Sequence, residues 1–169
     1  TLFRVASITK TFTGAAIMQL RAAGRLSLDD PISRHIPEFA RAHAKRGGLD
    51  QVTLRRLLTH HSGLVSEAPF RYWDTLDFPP FERILASLPK VEVVLDPDTQ
   101  FKYSNLAFAL LGEVIARTGK TPYAEYVAGN LLRPLGLAST TFELTPELGR
   151  RFATGYDAVK AMLPVPLSK

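Results

Sequence analysis

Apolar residues recur at helical spacing along most of this chain, in segments that glycine and proline separate. The segment 8–23 is apolar on nearly all sides, which is typical of a buried helix, and Gly24 ends it. Only residues 91–95 resemble a strand, while residues 64–78 and 135–169 lack a clear period. The same helical spacing predicts further helices over residues 31–36, 54–60, 80–88, 105–119 and 122–132. The pattern therefore predicts a mainly α-helical chain with almost no strand.

Residues that begin or end helices stand at the boundaries of these segments. Thr53 and Ser104 each carry a hydroxyl that can accept a hydrogen bond from the first turn of a following helix. Asp30 takes the corresponding place before Pro31, whose ring suits the first helical position. Pro89 cannot continue the helix that precedes it. These residues predict where the helices begin and end.

The composition is that of a globular protein. A length of 169 residues corresponds to about one domain, and 46% hydrophobic with 22% charged residues excludes a disordered chain. We interpret residues 1–169 as a single partial domain, of which residues 143–169 form a loop-rich tail. The chain contains no cysteine, so disulfides and a thiol nucleophile are excluded.

The distribution of charge argues against two classes of partner. The net charge is +5, but the 21 basic residues are scattered among 16 acidic ones instead of forming one stripe, so we expect no nucleic-acid partner. The basic segment 41–46 is interpreted as a solvated loop. The apolar stretch 106–116 is interrupted by Glu113 and is about half as long as a membrane span, so we expect none. These patterns leave the cellular compartment open.

The first candidate for chemistry is the tetrad Ser7-Ile8-Thr9-Lys10 at the beginning of the first helix. Residues three apart lie on one helix face, so the lysine reaches the serine hydroxyl, and desolvation on an apolar helix favours its neutral, basic form. The alternative is a helix-capping serine beside a lysine that extends to solvent. Ser87 and Lys90 repeat the spacing, but Pro89 breaks the helical turn between them, so Ser7 is the candidate nucleophile.

The second candidate is Tyr103-Ser104-Asn105, in a loop directly before a predicted helix. A tyrosine hydroxyl beside an ammonium can carry a proton, and an asparagine amide offers a substrate both a donor and an acceptor. The alternative is a capping serine next to a core tyrosine.

Taken together and in this order, the two motifs resemble those of the serine β-lactamase and penicillin-binding-protein superfamily. The Y-S-N form is similar to that of the class C β-lactamase-like branch, which also holds esterases and D-amino-acid peptidases. The resemblance extends from about residue 3 to residue 142. The further segments that carry it are residues 26–31 (LSLDDP), 57–64 (LLTHHSGL), 101–105 (FKYSN), 110–113 (LLGE) and 133–137 (RPLGL).

The resemblance implies a fold, an activity and a set of site residues. By position, Ser7 resembles the acylated nucleophile, Lys10 the residue that helps to deprotonate it, and Tyr103 the base that protonates the leaving group. Asn105 resembles the residue that holds the substrate's amide or acyl group. The implied activity is serine hydrolysis of esters, β-lactams or D-amino-acid peptides through an acyl-enzyme, without a metal or organic cofactor. The alternative is a non-catalytic sensor or pseudoenzyme that binds β-lactams or peptidoglycan.

Two histidines invite a different interpretation. His60 and His61 are adjacent and could suggest a Ser-His dyad or a metal site. The family that the chain resembles relies on lysine and tyrosine, and His60 falls in the L-L-T-H segment. We therefore interpret these histidines as structural.

One element of the family's pattern is missing. A strand with Lys or His, then Thr or Ser, then Gly should lie beside the nucleophile and supply a backbone N–H to the oxyanion hole. Residues 61–63 (HSG) come too early in the chain, and residues 117–119 (RTG) end a predicted helix. We therefore expect the helical part of an α/β fold whose sheet strands are absent, with its sheet-facing side covered by a missing segment or a second chain. Activity of the 169 residues alone stays open.

Overall fold

The two longest helices pack against each other in the computed structural model, which describes residues 1–73, 77–157 and 163–164. Helix α1 (Thr9–Ala22) buries Thr13, Ala16, Ile17 and Leu20, at the spacing of a single helix face. It packs against α5 (Asn105–Gly119). The side chains that α5 buries are Leu106, Ala107, Leu110, Leu111, Val114 and Ile115.

Short helices surround this pair. The α-helices are α2 (Ile32–His35), α3 (Leu54–Leu58), α4 (Phe81–Ser87), α6 (Tyr123–Val127) and α7 (Pro146–Gly149). The 3₁₀ turns cover Ala6–Ile8, Pro37–Arg41, Leu49–Gln51 and Leu88–Lys90. The described part of the chain is thus mainly helical, as the sequence pattern predicts.

Two of the predicted caps are confirmed and one is wrong. The hydroxyl of Thr53 accepts a hydrogen bond from the Arg56 N–H, and that of Ser104 accepts one from the Ala107 N–H. Asp30 does not cap α2, whose N-cap is Pro31. The Asp30 carboxylate instead accepts the Ser27 N–H and contacts Arg34 and His35, so it stabilises the turn before the helix. Because the Asp30 carboxylate already binds these groups, it does not cap α2.

Helix α4 ends where the sequence predicts, whereas the helix predicted over 122–132 changes its winding before it ends. Helix α4 ends at Ser87, and the chain continues through Pro89 as a single 3₁₀ turn, so the predicted break is confirmed. The helix predicted over 122–132 is α-helical only as far as Val127 and then widens into a π turn over Ala128–Leu132.

Strands are few and short among the described residues. His43–Ala44 (β1) pairs in parallel with Glu92–Val93 (β2), which confirms a strand within 91–95 and corrects the interpretation of 41–46 as a loop throughout. Such a pairing joins residues far apart in sequence, so local pattern cannot predict it. Tyr156–Asp157 (β3) pairs antiparallel with Leu163–Pro164 (β4) in the predicted loop-rich tail, which also contains α7. The rest of that tail, residues 158–162 and 165–169, and residues 74–76 of the predicted irregular segment 64–78 lie outside the described residues.

The apolar side chains of α1 and of the turn before it are not all buried. Ile8, in the turn before α1, is 61% exposed, and Met18 on α1 is 43% exposed. Phe3 and Val5, which precede the helix, are exposed as well. These apolar side chains are therefore uncovered within the described chain, and a helix that is apolar on nearly all sides leaves such side chains exposed unless a further element packs on them. Within the described residues, every helix is too short or too polar to cross a membrane.

Candidate active site

Ser7 lies in the 3₁₀ turn that leads into α1, and Lys10 lies in the first turn of the helix. This spacing brings the Lys10 Nζ within 3.1 Å of the Ser7 Oγ, to which it donates a hydrogen bond. The preceding residue, Ala6, has a φ of +41°, a conformation that costs a residue with a Cβ about 1–2 kcal/mol. The turn is therefore strained at the residue that sets the direction of Ser7.

The second motif meets the first at the beginning of α5. The Tyr103 hydroxyl lies 2.7 Å from the Ser7 Oγ, although 96 positions separate the two residues. The Asn105 Oδ1 accepts a hydrogen bond of 2.7 Å from the Lys10 Nζ. All four residues singled out from the sequence thus lie within one hydrogen-bonded cluster. The serine hydroxyl has a potential base on one side and a cation on the other.

The surroundings of Tyr103 lower the pKa of its hydroxyl. Hydrogen bonds from Lys10 and then from Ser7 lower the pKa of Tyr103, against smaller opposing effects of desolvation and of the Glu67 charge. The Lys10 Nζ also lies 4.8 Å from the centre of the Tyr103 ring. A phenolate beside the Ser7 Oγ is suited to accept its proton.

Glu67, which was not among the residues predicted from the sequence, orients Asn105. The Glu67 Oε1 accepts a hydrogen bond of 2.6 Å from the Asn105 Nδ2, and its other oxygen accepts one from the Tyr72 hydroxyl. Burial and this hydrogen bond raise the pKa of Tyr72. Because Glu67 holds the amide nitrogen, the amide oxygen of Asn105 faces Lys10. Glu67 lies in the irregular segment 64–78, where no local pattern distinguishes it.

His60 has a structural role beside Tyr103. Its ring centre lies 4.5 Å from that of Tyr103 and 5.1 Å from that of Phe108. The Ser104 N–H donates to its Nδ1 over 3.2 Å, and burial, followed by the charges of Lys10 and His61, lowers the pKa of His60. A neutral imidazole therefore packs against the tyrosine and positions its backbone.

The other sequence segments that resemble catalytic motifs make different contacts. Ser87 is buried, and its hydroxyl donates to the Ile84 carbonyl of its own helix over 2.7 Å. Gly63, in the segment 61–63 (HSG), accepts a hydrogen bond from the Val94 N–H through its carbonyl. Arg117, in the segment 117–119 (RTG), lies in α5 and forms ion pairs with Glu38 and Glu113. No group of three or more side chains among the described residues could hold a metal ion.

A cavity of about 620 Å³ opens beside the cluster, within the usual range for a small-molecule site. Ser7, Lys10 and Asn105 are part of its wall, and apolar side chains form most of the rest. The wall includes Trp73, Phe81, Phe108, Ala109, Ala116, Pro122 and Tyr123. An apolar acyl or leaving group would therefore find contacts next to the serine.

Comparison with known proteins assigns the chain to a family. The beta-lactamase family model matches residues 1–168. The chain belongs to the beta-lactamase family. Among curated members, Protein flp of Staphylococcus aureus (strain MW2) is 32% identical over 157 residues, which cover 93% of this chain and 31% of that protein. Beta-lactamase-like protein 2 of Dictyostelium discoideum is 38% identical over 142 residues, which cover 82% of this chain and 26% of that protein.

Solved structures of beta-lactamase family hydrolases agree with this fold. A mutant class C beta-lactamase superposes on all of the chain with a TM-score of 0.82 and 27% identity, and the match covers 44% of that structure. A hydrolase with promiscuous acyltransferase activity has a TM-score of 0.78 and 28% identity over 98% of the chain and 45% of the structure. A D-stereospecific amidohydrolase from Streptomyces has a TM-score of 0.75 and 32% identity over 90% of the chain and 48% of the structure.

The chain matches only part of the length of each of these proteins. The chain spans about a third or less of the curated relatives and under half of these solved structures. The mainly helical chain thus corresponds to part of the beta-lactamase fold, which confirms the expected fold class.

Proposed function

We propose that this chain supplies the nucleophile and the proton carriers of a serine hydrolase that works through an acyl-enzyme on Ser7. The observation that carries the proposal is the position of the Ser7 Oγ, 2.7 Å from the Tyr103 hydroxyl and 3.1 Å from the Lys10 Nζ. A nucleophile within hydrogen-bond reach of a base, with that base oriented by a third group, is the arrangement that covalent catalysis requires.

In the proposed reaction, the Tyr103 phenolate takes the proton of Ser7 as the Oγ attacks the substrate carbonyl. The oxygen of that carbonyl becomes an anion, which the Ser7 N–H and the positive end of α1 stabilise. Tyr103 then gives the proton to the leaving group, and the acyl ester stays on Ser7. A water molecule, deprotonated by Tyr103, releases the acid and regenerates the serine.

Lys10 and Asn105 have supporting roles in this scheme. The Lys10 ammonium stabilises the phenolate by the same hydrogen bond that lowers the pKa of Tyr103. The Asn105 amide nitrogen carries two hydrogens, of which Glu67 accepts one, so the second can donate to a carbonyl of the substrate's acyl part.

The proposed substrates are carboxylic esters first, with β-lactams and D-amino-acid peptides as related acyl donors. The apolar wall of the cavity favours an ester with an apolar group. Related proteins include a class C beta-lactamase and a D-stereospecific amidohydrolase, so the same scaffold carries each of these chemistries.

Covalent labelling tests the proposal. The chain is incubated with a fluorophosphonate or with a penicillin, and the adduct is located by mass spectrometry after proteolysis. We expect the adduct on Ser7. Ser7→Ala should abolish it and reduce any turnover by at least about a thousandfold, whereas Ser87→Ala, in the other S-x-x-K tetrad, should leave both unchanged.

The outcomes separate the candidate functions. An adduct on Ser7 followed by release of product supports the hydrolase. A stable penicillin adduct without release would identify the alternative, a β-lactam sensor on the same scaffold. Labelling that survives Ser7→Ala, or that is lost in Ser87→Ala, would contradict the assignment of the nucleophile.

A further inference from the structure

A second, smaller cavity of about 240 Å³ adjoins the one beside Ser7. Both cavities share Trp73, Asn105 and Ala109 in their walls, so they are neighbours along the same groove. Whole-ligand pockets usually occupy about 300–1,000 Å³, so the smaller cavity suits one substituent of a substrate and not a complete molecule.

Three aromatic rings form one side of this cavity. The ring centres of Tyr72 and Phe78 lie 5.2 Å apart, and those of Trp73 and Phe78 lie 5.3 Å apart at an angle of 90°. Tyr72 is buried, whereas Trp73 and Phe78 are exposed. The face of an aromatic ring carries partial negative charge and attracts organic cations.

Glu67 places a carboxylate in the wall of the same cavity. Among the described residues, the donors that the structure gives it are the Asn105 amide and the Tyr72 hydroxyl, both neutral, so neither balances its charge. A carboxylate has about four acceptor positions, which leaves capacity for a further donor or cation. The Lys10 ammonium binds the opposite end of the Asn105 amide, so Asn105 stands between this cation and Glu67.

We propose that this cavity binds a positively charged amino group on the acyl part of the substrate. The Glu67 carboxylate supplies the charge, and the rings of Tyr72, Trp73 and Phe78 supply the apolar, electron-rich surface. A neutral acyl group would remove water from the carboxylate without replacing its interactions, whereas an ammonium group satisfies it. That the amino group belongs to the acyl part of the substrate rests on the proposed function, because this takes Ser7 as the acylated residue. That the cavity binds a cation does not depend on the proposed function.

Trp73 makes direct measurement of this binding feasible. It is the single tryptophan of the chain, so intrinsic fluorescence reports on the region that the two cavities share without interference from another indole, and the variants below assign the response to the smaller cavity. The probes are choline and 3,3-dimethylbutan-1-ol, which have the same shape but differ by one positive charge. We expect choline to change the Trp73 fluorescence saturably and to bind at least about tenfold more tightly than the alcohol, as a cation beside aromatic rings and a carboxylate should.

Two variants assign this selectivity to its source. Glu67→Gln keeps an oxygen that can accept from Asn105 but removes the charge, so choline should then bind no better than the alcohol. Ser7→Ala should leave choline binding unchanged, because Ser7 is not in the wall of the smaller cavity. Circular dichroism verifies that each variant is folded.

Results with the unmodified chain and with one variant can each overturn the proposal. Equal affinity of the unmodified chain for choline and the alcohol, or no saturable response to choline, contradicts cation binding. Choline selectivity that persists in folded Glu67→Gln contradicts the role of the carboxylate. Labelling of Ser7 is a separate measurement, so a failure of the proposed function and a failure of this inference are distinguishable.

Discussion

Replacing Ser104 with alanine should destabilise the chain more than the loss of an ordinary helix cap. The Ser104 side chain is fully buried, and its hydroxyl makes two hydrogen bonds. It accepts from the Ala107 N–H over 2.9 Å and donates to the Val65 carbonyl over 2.7 Å. The substitution therefore removes the cap of α5 and leaves the partner carbonyl without this donor.

The two losses set the expected magnitude. A lost cap costs about 1 kcal/mol, and a buried polar group left without its partner costs about 1–3 kcal/mol. The free energy of unfolding should fall by about 2–4 kcal/mol, or about 4–16 °C in Tm for a chain of this size. Thr53→Ala is the matched control. The Thr53 hydroxyl caps α3, so its loss should lower the free energy of unfolding by only about 1 kcal/mol.

The same substitution should disturb the candidate site. Ser104 lies between Tyr103 and Asn105, so its hydrogen bonds hold both side chains against Ser7 and Lys10. At a temperature where the variant is folded, labelling of Ser7 by a fluorophosphonate should slow by up to about a hundredfold, while Thr53→Ala labels normally. Thermal unfolding followed by circular dichroism and timed mass spectrometry measure the two effects. Equal Tm losses in the two variants, or unchanged labelling of Ser104→Ala, would refute the reasoning.

Two further expectations concern the rate of Ser7 labelling. The rate should rise with pH through the Tyr103 pKa, because the phenolate is the proposed base. Lys10→Ala should move this rise to higher pH, since the Lys10 hydrogen bond lowers the pKa of Tyr103, and Lys10→Arg should keep the cation and move the rise less. A pH profile that Lys10→Ala does not move would count against Tyr103 as the base. A longer form of the protein that includes a Lys/His–Thr/Ser–Gly strand should label about a hundredfold to a thousandfold faster, because that strand adds an oxyanion donor. Equal rates for the two forms would disprove the need for that strand.

Features that depend on neighbouring residues could be predicted from the sequence alone. The beginnings of α3 and α5 were predictable because Thr53 and Ser104 accept hydrogen bonds from N–H groups three residues ahead. The proximity of Ser7 and Lys10 follows from helical spacing. The break at Pro89 follows from the missing N–H of proline.

Features that join distant segments were decided only by the tertiary structure. The contact between Ser7 and Tyr103 was expected from a family resemblance, since no local rule connects residues 96 positions apart. Glu67 becomes part of the site only because an irregular segment packs beside Asn105, and irregular backbone has no period from which a side chain's direction follows. The exposure of Ile8 likewise depends on which elements cover the helix, because an apolar sequence specifies a preference for burial but not the partner that provides it.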